Sequence, residues 1–165
     1  MRIADRGLRN RGRWAIGSLL LVAAVVTART DAADSPPFKL QTYRGHVVFL
    51  NEALARKFGI ATVPEAADRS IALETGDGTL IPIVEDVRGR AFRADERLRN
   101  MEVELLARRY ATSPFVQIIR VCEVTPSGLY EIDYWCDICA IPMVELKPCE
   151  CCQGETILRR RKVAE

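Results

Sequence analysis

Apolar and polar residues alternate along much of the chain between residues 38 and 135, and turn-forming residues interrupt the alternation at short intervals. The clearest case is residues 101–110, where Val103 and Leu105 alternate with charged neighbours. A period of two is typical of a strand that buries one face. The pattern predicts strands over residues 38–50, 71–73, 80–84, 101–110, 115–124, 129–135 and 156–158.

Capping residues predict two short helices between these strands. Asn51 is a good N-cap for a helix over residues 52–58, and Gly59 would end that helix. Asp95 would cap a second helix over residues 96–100.

Glycine and proline constrain the strands further. Gly45 lies inside the first strand and predicts a bulge or a bend. Residues 76–78 (Gly-Asp-Gly) supply the backbone freedom that a hairpin turn requires. Pro82 lacks an N–H, so its strand is expected at a sheet edge or at a bulge. Residues 85–93 are charged and aperiodic, which predicts an irregular connection.

The order strand, strand, strand, short helix, strand, strand resembles the OB-fold, a small five-stranded barrel. The resemblance covers residues 38–124 and implies that the helix over residues 52–58 is an insertion. It is carried by the strand with Gly45, the Asp77-Gly78 hairpin, the helix at 95–100, and the strands 101–110 and 115–124. The predicted fold class is therefore mainly β, with an OB-like five-stranded barrel plus a short cysteine-rich C-terminal β segment. OB barrels often bind oligonucleotides or sugars, but a fold alone does not define a function.

The first residues differ in charge and hydropathy from the rest of the chain. Residues 1–28 carry five arginines and one acid, a net charge of +4, which leaves 2 − 4 = −2 for the remainder. Residues 14–28 are uncharged and mostly apolar, the length of a secretory signal core rather than of a bilayer-spanning helix. We interpret residues 1–33 as a signal peptide or an N-terminal membrane anchor, which would place the domain outside the cytoplasm.

The remaining charges limit the partners that the sequence predicts. A body with a net charge of −2 lacks the basic field that attracts nucleic acid, so no nucleic-acid partner is expected. Membrane contact is expected only through the N-terminal segment, if it is not cleaved. The basic run over residues 159–162 is interpreted as a solvated tail. His46 is the only histidine and is interpreted as a surface or edge residue.

The chemistry-bearing stretch is near the C-terminus, where five of the six cysteines lie between residues 136 and 152. Two C-x-x-C turns, nine residues apart, resemble a zinc ribbon with a short connector. Two such turns place four thiolates around a tetrahedral ion, which suits Zn²⁺. The predicted ligands are Cys136, Cys139, Cys149 and Cys152, with Cys151 as an alternative to Cys152. Met143 nearby leaves a softer ion such as Cu(I) open.

Two other interpretations of the cysteines stay open. An exported protein with an even cysteine count can form disulfides, and Cys122 could pair with Cys151. The sequence Trp135-Cys-Asp-Ile-Cys139 also looks like the redox motif of thioredoxin-like proteins. In those proteins a long helix follows the first thiol, whereas Pro142 leaves little room for one here.

These observations predict a domain order and a class of function. Residues 1–33 are the targeting segment, 34–128 the OB-like barrel, and 129–165 the cysteine-rich metal-binding segment with its basic tail. The predicted function is a binding or structural module with a structural zinc site and no predicted catalytic residues. The alternatives are an extracytoplasmic thiol-redox or metal-handling protein and a disulfide-stapled ligand-binding barrel. No partner is identified.

Overall fold

A computed structural model describes residues 37–164, so the predicted targeting segment lies outside the described residues. The strands are β1 Phe38–Phe49, β2 Ile71–Thr75, β3 Leu80–Pro82, β4 Glu102–Tyr110, β5 Val116–Thr125, β6 Gly128–Cys136, β7 Ile141–Met143 and β8 Ile157–Lys162. The helices are α1 Leu50–Phe58, α2 Val87–Ala94 and α3 Glu96–Arg99, with one 3₁₀ turn at Pro64–Ala66. Within the described range, no helix has the length and apolar character needed to cross a membrane.

The eight strands form one antiparallel sheet in the order β3-β2-β1-β4-β5-β6-β7, and β8 pairs with β6. This sheet is open, so the protein is mainly β as predicted, but the closed five-stranded barrel is not confirmed. One isolated parallel bridge joins Ile83, just after β3, to Val116 at the start of β5. The Val84 N–H donates to the Val116 carbonyl oxygen at 2.9 Å. Pro82 lies on β3, the edge strand at one end of the sheet, as its missing N–H predicts.

The core lies on one face of the sheet because the strands alternate as the sequence predicts. On β4, Val103, Leu105 and Ala107 are all fully buried. Helices α2 and α3 cover this face and contribute Phe92 and Leu98 to the same cluster. The register between β4 and β5 shifts at Leu106/Ala107, which marks a β-bulge.

Gly45 is required by a close backbone approach. The register between β1 and β4 runs without a shift through Gly45, which lies opposite Val103, and the ladder between β1 and β2 begins at Gly45 opposite Thr75, so neither ladder has a bulge there. A Cβ at Gly45 would overlap the Glu74 carbonyl oxygen. Only glycine therefore allows β1 to pair with both neighbours at this point.

Of the two predicted helices, α3 begins as predicted, because the Asp95 side chain accepts a hydrogen bond from the Arg97 N–H at its first turn, whereas α1 begins differently. Helix α1 begins at Leu50 with Phe49 as its N-cap, so Asn51 lies inside the helix and does not cap it. Gly59 ends α1 in the left-handed conformation, at φ 66°, as predicted. Residues 85–93 are not irregular, because α2 occupies most of them and the Asp86 side chain accepts hydrogen bonds from its first backbone N–H groups.

The basic run over residues 159–162 is not a solvated tail. It forms most of β8, and Arg159, Arg160 and Arg161 lie opposite Asp133, Ile132 and Glu131 of β6 in the ladder. Their guanidinium groups form ion pairs with Asp133, Glu123 and Glu131. Acidic side chains of the neighbouring strands thus neutralise the run, which allows it to extend the sheet.

Candidate metal centre

The two C-x-x-C turns come together beside the end of the sheet. Cys136 is the last residue of β6, and Cys139 lies in the turn that leads into β7. Cys149 and Cys152 lie in the turn that precedes β8. The four Sγ atoms all lie within 4.8 Å of one another, and those of Cys136 and Cys152 are 3.5 Å apart. The four residues that the sequence predicts as ligands are therefore one cluster.

The spacing of the sulfurs suits a tetrahedral ion. Four sulfurs at about 2.3 Å from one ion lie about 3.8 Å from each other, since the edge of a tetrahedron is longer than its radius. The observed upper limit of 4.8 Å is wider by a margin that small side-chain rotations remove. The cluster could thus hold one metal ion without rearrangement of the backbone.

The two turns have the same backbone geometry. In each, the first thiol accepts hydrogen bonds from backbone N–H groups two and three residues later, namely Ile138 and Cys139 in one turn and Cys151 and Cys152 in the other. The residue after each turn closes it, because the Ala140 N–H donates to the Cys136 carbonyl at 2.8 Å and the Gln153 N–H to the Cys149 carbonyl at 2.9 Å.

Those two closing residues are strained in the same way. Ala140 has φ 54° and Gln153 has φ 59°, and they are the non-glycine residues with positive φ in the described part of the chain. The left-handed conformation costs a non-glycine residue about 1–2 kcal/mol. Strain of this kind persists only where the surroundings fix the geometry, and it is often associated with functional sites. Here both strained residues directly follow the second thiol of a C-x-x-C pair.

The thiols differ in burial and in proton affinity. Cys136 and Cys149 are buried, whereas Cys139 and Cys152 are half-buried. The N–H groups of Cys152 and Cys151 lower the pKa of Cys149 to about 7. Hydrogen bonds with the Cys152 and Cys151 thiols raise the pKa of Cys139. Cys149 is therefore the thiol of the cluster that loses its proton most readily, and a bound cation would favour deprotonation of the others as well.

An ion pair between the exposed Arg90 and the buried Glu145 attaches the cysteine segment to the helical layer. Arg90 of α2 donates two hydrogen bonds to the Glu145 carboxylate, at 2.7 and 2.8 Å. Glu145 is 6 % exposed, and Arg90 and Lys147 hold the pKa of its carboxyl below the usual value. Because Glu145 lies between β7 and the second turn, this pair positions the second turn relative to α2.

The remaining two cysteines are not members of the four-sulfur cluster. Cys122 is buried in β5 between Glu104 of β4 and Glu131 of β6, and burial raises the pKa of its thiol. Cys151 is exposed, and its thiol hydrogen-bonds with that of Cys139. All six cysteines are free, so the Cys122–Cys151 bridge considered from the sequence is not present.

Three further interpretations of the sequence, concerning the residues after Cys136, Met143 and His46, can be compared with the structure. After Cys136 the chain turns and enters β7, so no helix follows the thiol as it does in thioredoxin-like proteins. Met143 is buried on β7 and lines the same cleft as Cys149 and Cys151. His46 is exposed on β1, a strand that contributes no ligand to the cluster.

Two polar contacts near the site could not be read from the sequence pattern. The Tyr134 hydroxyl donates to the buried Asp95 carboxylate at 2.6 Å, and Arg97 donates to the same group at 2.7 Å. The Arg159 guanidinium lies 3.7 Å from the centroid of the Trp135 ring. Both link β6 to residues distant in sequence. The first depends on how β6 packs against the junction of α2 and α3, and the second on the pairing of β6 with β8, and alternation alone specifies neither.

Comparison of the chain with known protein families, curated proteins and solved structures gives no match. What the site can do therefore follows from its own residues and geometry.

Proposed function

We propose that Cys136, Cys139, Cys149 and Cys152 bind one Zn²⁺, and that this ion holds the C-terminal segment against the sheet. The observation that supports the proposal is the pair of matching turns, which direct four thiols to one point. Zinc suits the site because it prefers four sulfur ligands in a tetrahedron and imposes no other geometry. All four positions are filled by protein, which is typical of a structural zinc site rather than of a catalytic one.

The segment needs such a cross-link because it has almost no core of its own. Between β6 and β8, residues 137–156 contain three buried residues, Met143, Glu145 and Cys149. So few buried groups cannot offset the entropy of ordering twenty residues, which costs roughly 1–2 kcal/mol for each backbone unit. Metal binding supplies that free energy in small cysteine-rich segments elsewhere. The proposed role of the protein is accordingly that of a binding or structural module.

The proposal also includes a location outside the cytoplasm and an OB-like arrangement of the first five strands. The arginine-rich start and the apolar run over residues 14–28 support export or anchoring, with the domain outside the cytoplasm. The element order and the bridge between Ile83 and Val116 support an OB-like arrangement of β1 to β5. In an oxidising compartment, disulfides among the same cysteines are the competing state.

Hydrogen exchange with and without a chelator tests the proposed role. In the zinc-loaded full chain, the amides of Ala140 and Gln153 should be protected, and removal of the metal should make both exchange rapidly. Amides of β4, such as that of Leu105, should keep their protection because the core around them does not involve the cluster. Equal protection in both samples would contradict a structural metal. Loss of protection throughout β4 as well would show that the metal stabilises the whole domain rather than this segment.

A further inference from the structure

Five thiols surround a site that has four ligand positions, and the fifth is the exposed one. Cys151 precedes Cys152 directly, and both of their thiols hydrogen-bond with Cys139. Cys152 has a further contact, because its Sγ accepts a hydrogen bond from the Gly154 N–H at 3.4 Å and also lies 3.5 Å from the Cys136 Sγ. Cys152 is therefore the better-positioned ligand, and Cys151 is a second thiol beside the same coordination position.

Access to the cluster is one-sided. Cys136 and Cys149 are buried, while Cys139 and Cys152 are half-buried and Cys151 is exposed. A cleft of about 490 Å³ reaches Cys149 and the exposed Cys151, and Met143 and the charged side chains of Glu145, Lys147 and Glu150 also line it. An incoming ligand for the metal would thus meet Cys151 before it reaches the ion.

We propose that Cys151 makes the bound metal exchangeable, so that the site passes a soft divalent ion to a thiol-bearing or chelating acceptor in the adjacent cleft. This inference rests on the proposed zinc site. In the exchange step, the Cys151 thiol loses its proton to solvent and its sulfur bonds to the ion. The bond from the ion to the Cys152 sulfur breaks, and that sulfur takes up a proton. No electron is transferred. The ion keeps four sulfur ligands, and one of them is now the exposed Cys151, which lines the cleft.

Stability and exchange rate are separate properties of such a site. The free energy of metal binding determines how much the metal stabilises residues 137–156. The activation free energy of metal dissociation determines how fast the metal is transferred. A neighbouring thiol lowers that barrier because a new bond forms as the old one breaks. The same ion can therefore hold the segment at equilibrium and still move to an acceptor.

Chelator competition on the full chain tests this proposal. Wild-type protein and the Cys151→Ser variant are each loaded with zinc, and the bound zinc per chain is measured before a chromogenic chelator is added in excess. Both should hold one zinc. The variant should transfer it about tenfold more slowly, because the Cys151 sulfur is no longer there to bond to the ion as the bond to Cys152 breaks. Glu155→Gln is the matched control, since Glu155 is exposed between the second turn and β8 and does not line the cleft, and it should transfer zinc at the wild-type rate.

Three other outcomes of the chelator experiment would contradict the proposal. Equal transfer rates for wild type and Cys151→Ser, with one zinc bound to both, would overturn the exchange role. Loss of zinc from Cys151→Ser before the chelator is added would also overturn it, because Cys151 would then be a resident ligand. A wild-type chain that binds no zinc at the first step would overturn the proposed metal site itself.

Discussion

Glycine substitution at the two strained positions should stabilise this protein, although glycine usually destabilises an ordered chain. Ala140 and Gln153 have φ 54° and 59°, a region that costs a non-glycine residue about 1–2 kcal/mol. Glycine removes this cost, but it loses about 0.5–1 kcal/mol more backbone entropy than alanine on folding. The difference predicts a net gain of about 0.5–1 kcal/mol for each substitution.

The gain should be visible both locally and globally. In zinc-loaded protein, Ala140→Gly should slow exchange of its own amide by about two- to fivefold, since 1.4 kcal/mol corresponds to a factor of ten. If the turn unfolds together with the sheet, the melting temperature should rise by about 2–4 °C for each kcal/mol gained. The double variant with Gln153→Gly should give about the sum, because the two residues lie in separate turns.

A matched control is an exposed alanine without positive φ. Ala111 lies exposed in the turn between β4 and β5, and Ala111→Gly should lose about 0.4–1 kcal/mol. The reasoning would be refuted if Ala140→Gly destabilised the zinc-loaded protein as Ala111→Gly does. It would then follow that the two turns do not hold the left-handed conformation that directs the thiols inward.

Three further perturbations test the surroundings of the site. Cys139→Ser should abolish stoichiometric zinc binding, measured by metal analysis, and should expose residues 137–156 to limited proteolysis while the β4 region stays protected; unchanged metal content and thermal stability would contradict the assignment. Burial raises the pKa of Asp95, but hydrogen bonds from Arg97 and Tyr134 outweigh it and hold that pKa below the ordinary value of 3.8. The stability that ionised Asp95 provides is therefore complete above the ordinary pKa and is lost as the pH falls through the lowered one. Tyr134→Phe should cost about 1–2 kcal/mol at neutral pH and shift acid unfolding to higher pH, and an unchanged acid midpoint would argue against this network. Arg159→Ala removes two hydrogen bonds to Asp133 and the contact with Trp135, so it should cost about 2 kcal/mol in urea unfolding, and a cost near zero would show that β8 does not depend on it.

The strands could be predicted from the sequence because their information is local. Val103, Leu105 and Ala107 alternate with polar neighbours, and each is buried on the same face. The four clustered thiols could be predicted for the same reason, since each pair is fixed by a tight turn of four residues. The edge position of β3 could also be predicted, because Pro82 has no N–H to donate to a neighbouring strand.

What could not be predicted depends on contacts between distant residues. Helix α2 contains Gly89 and charged residues, which look irregular alone, but its Ala91 and Phe92 are buried in the core. A Cβ at Gly89 would overlap the Val84 carbonyl oxygen, so this glycine serves a close packing contact rather than a turn. The strand character of β8 was hidden similarly, because the arginines become strand residues only beside the acids of β5 and β6.

The native mass of the full chain, purified without chelator or reductant and with free thiols counted after denaturation, tests the metal site most directly. A mass increased by one zinc ion, with at least four free thiols, is the predicted result. It would match the four sulfur atoms that lie within 4.8 Å of one another. A metal-free mass lower than that of the reduced chain by two hydrogen atoms for each bridge would contradict it. The cluster would then be a disulfide framework, and the function would have to lie in the sheet.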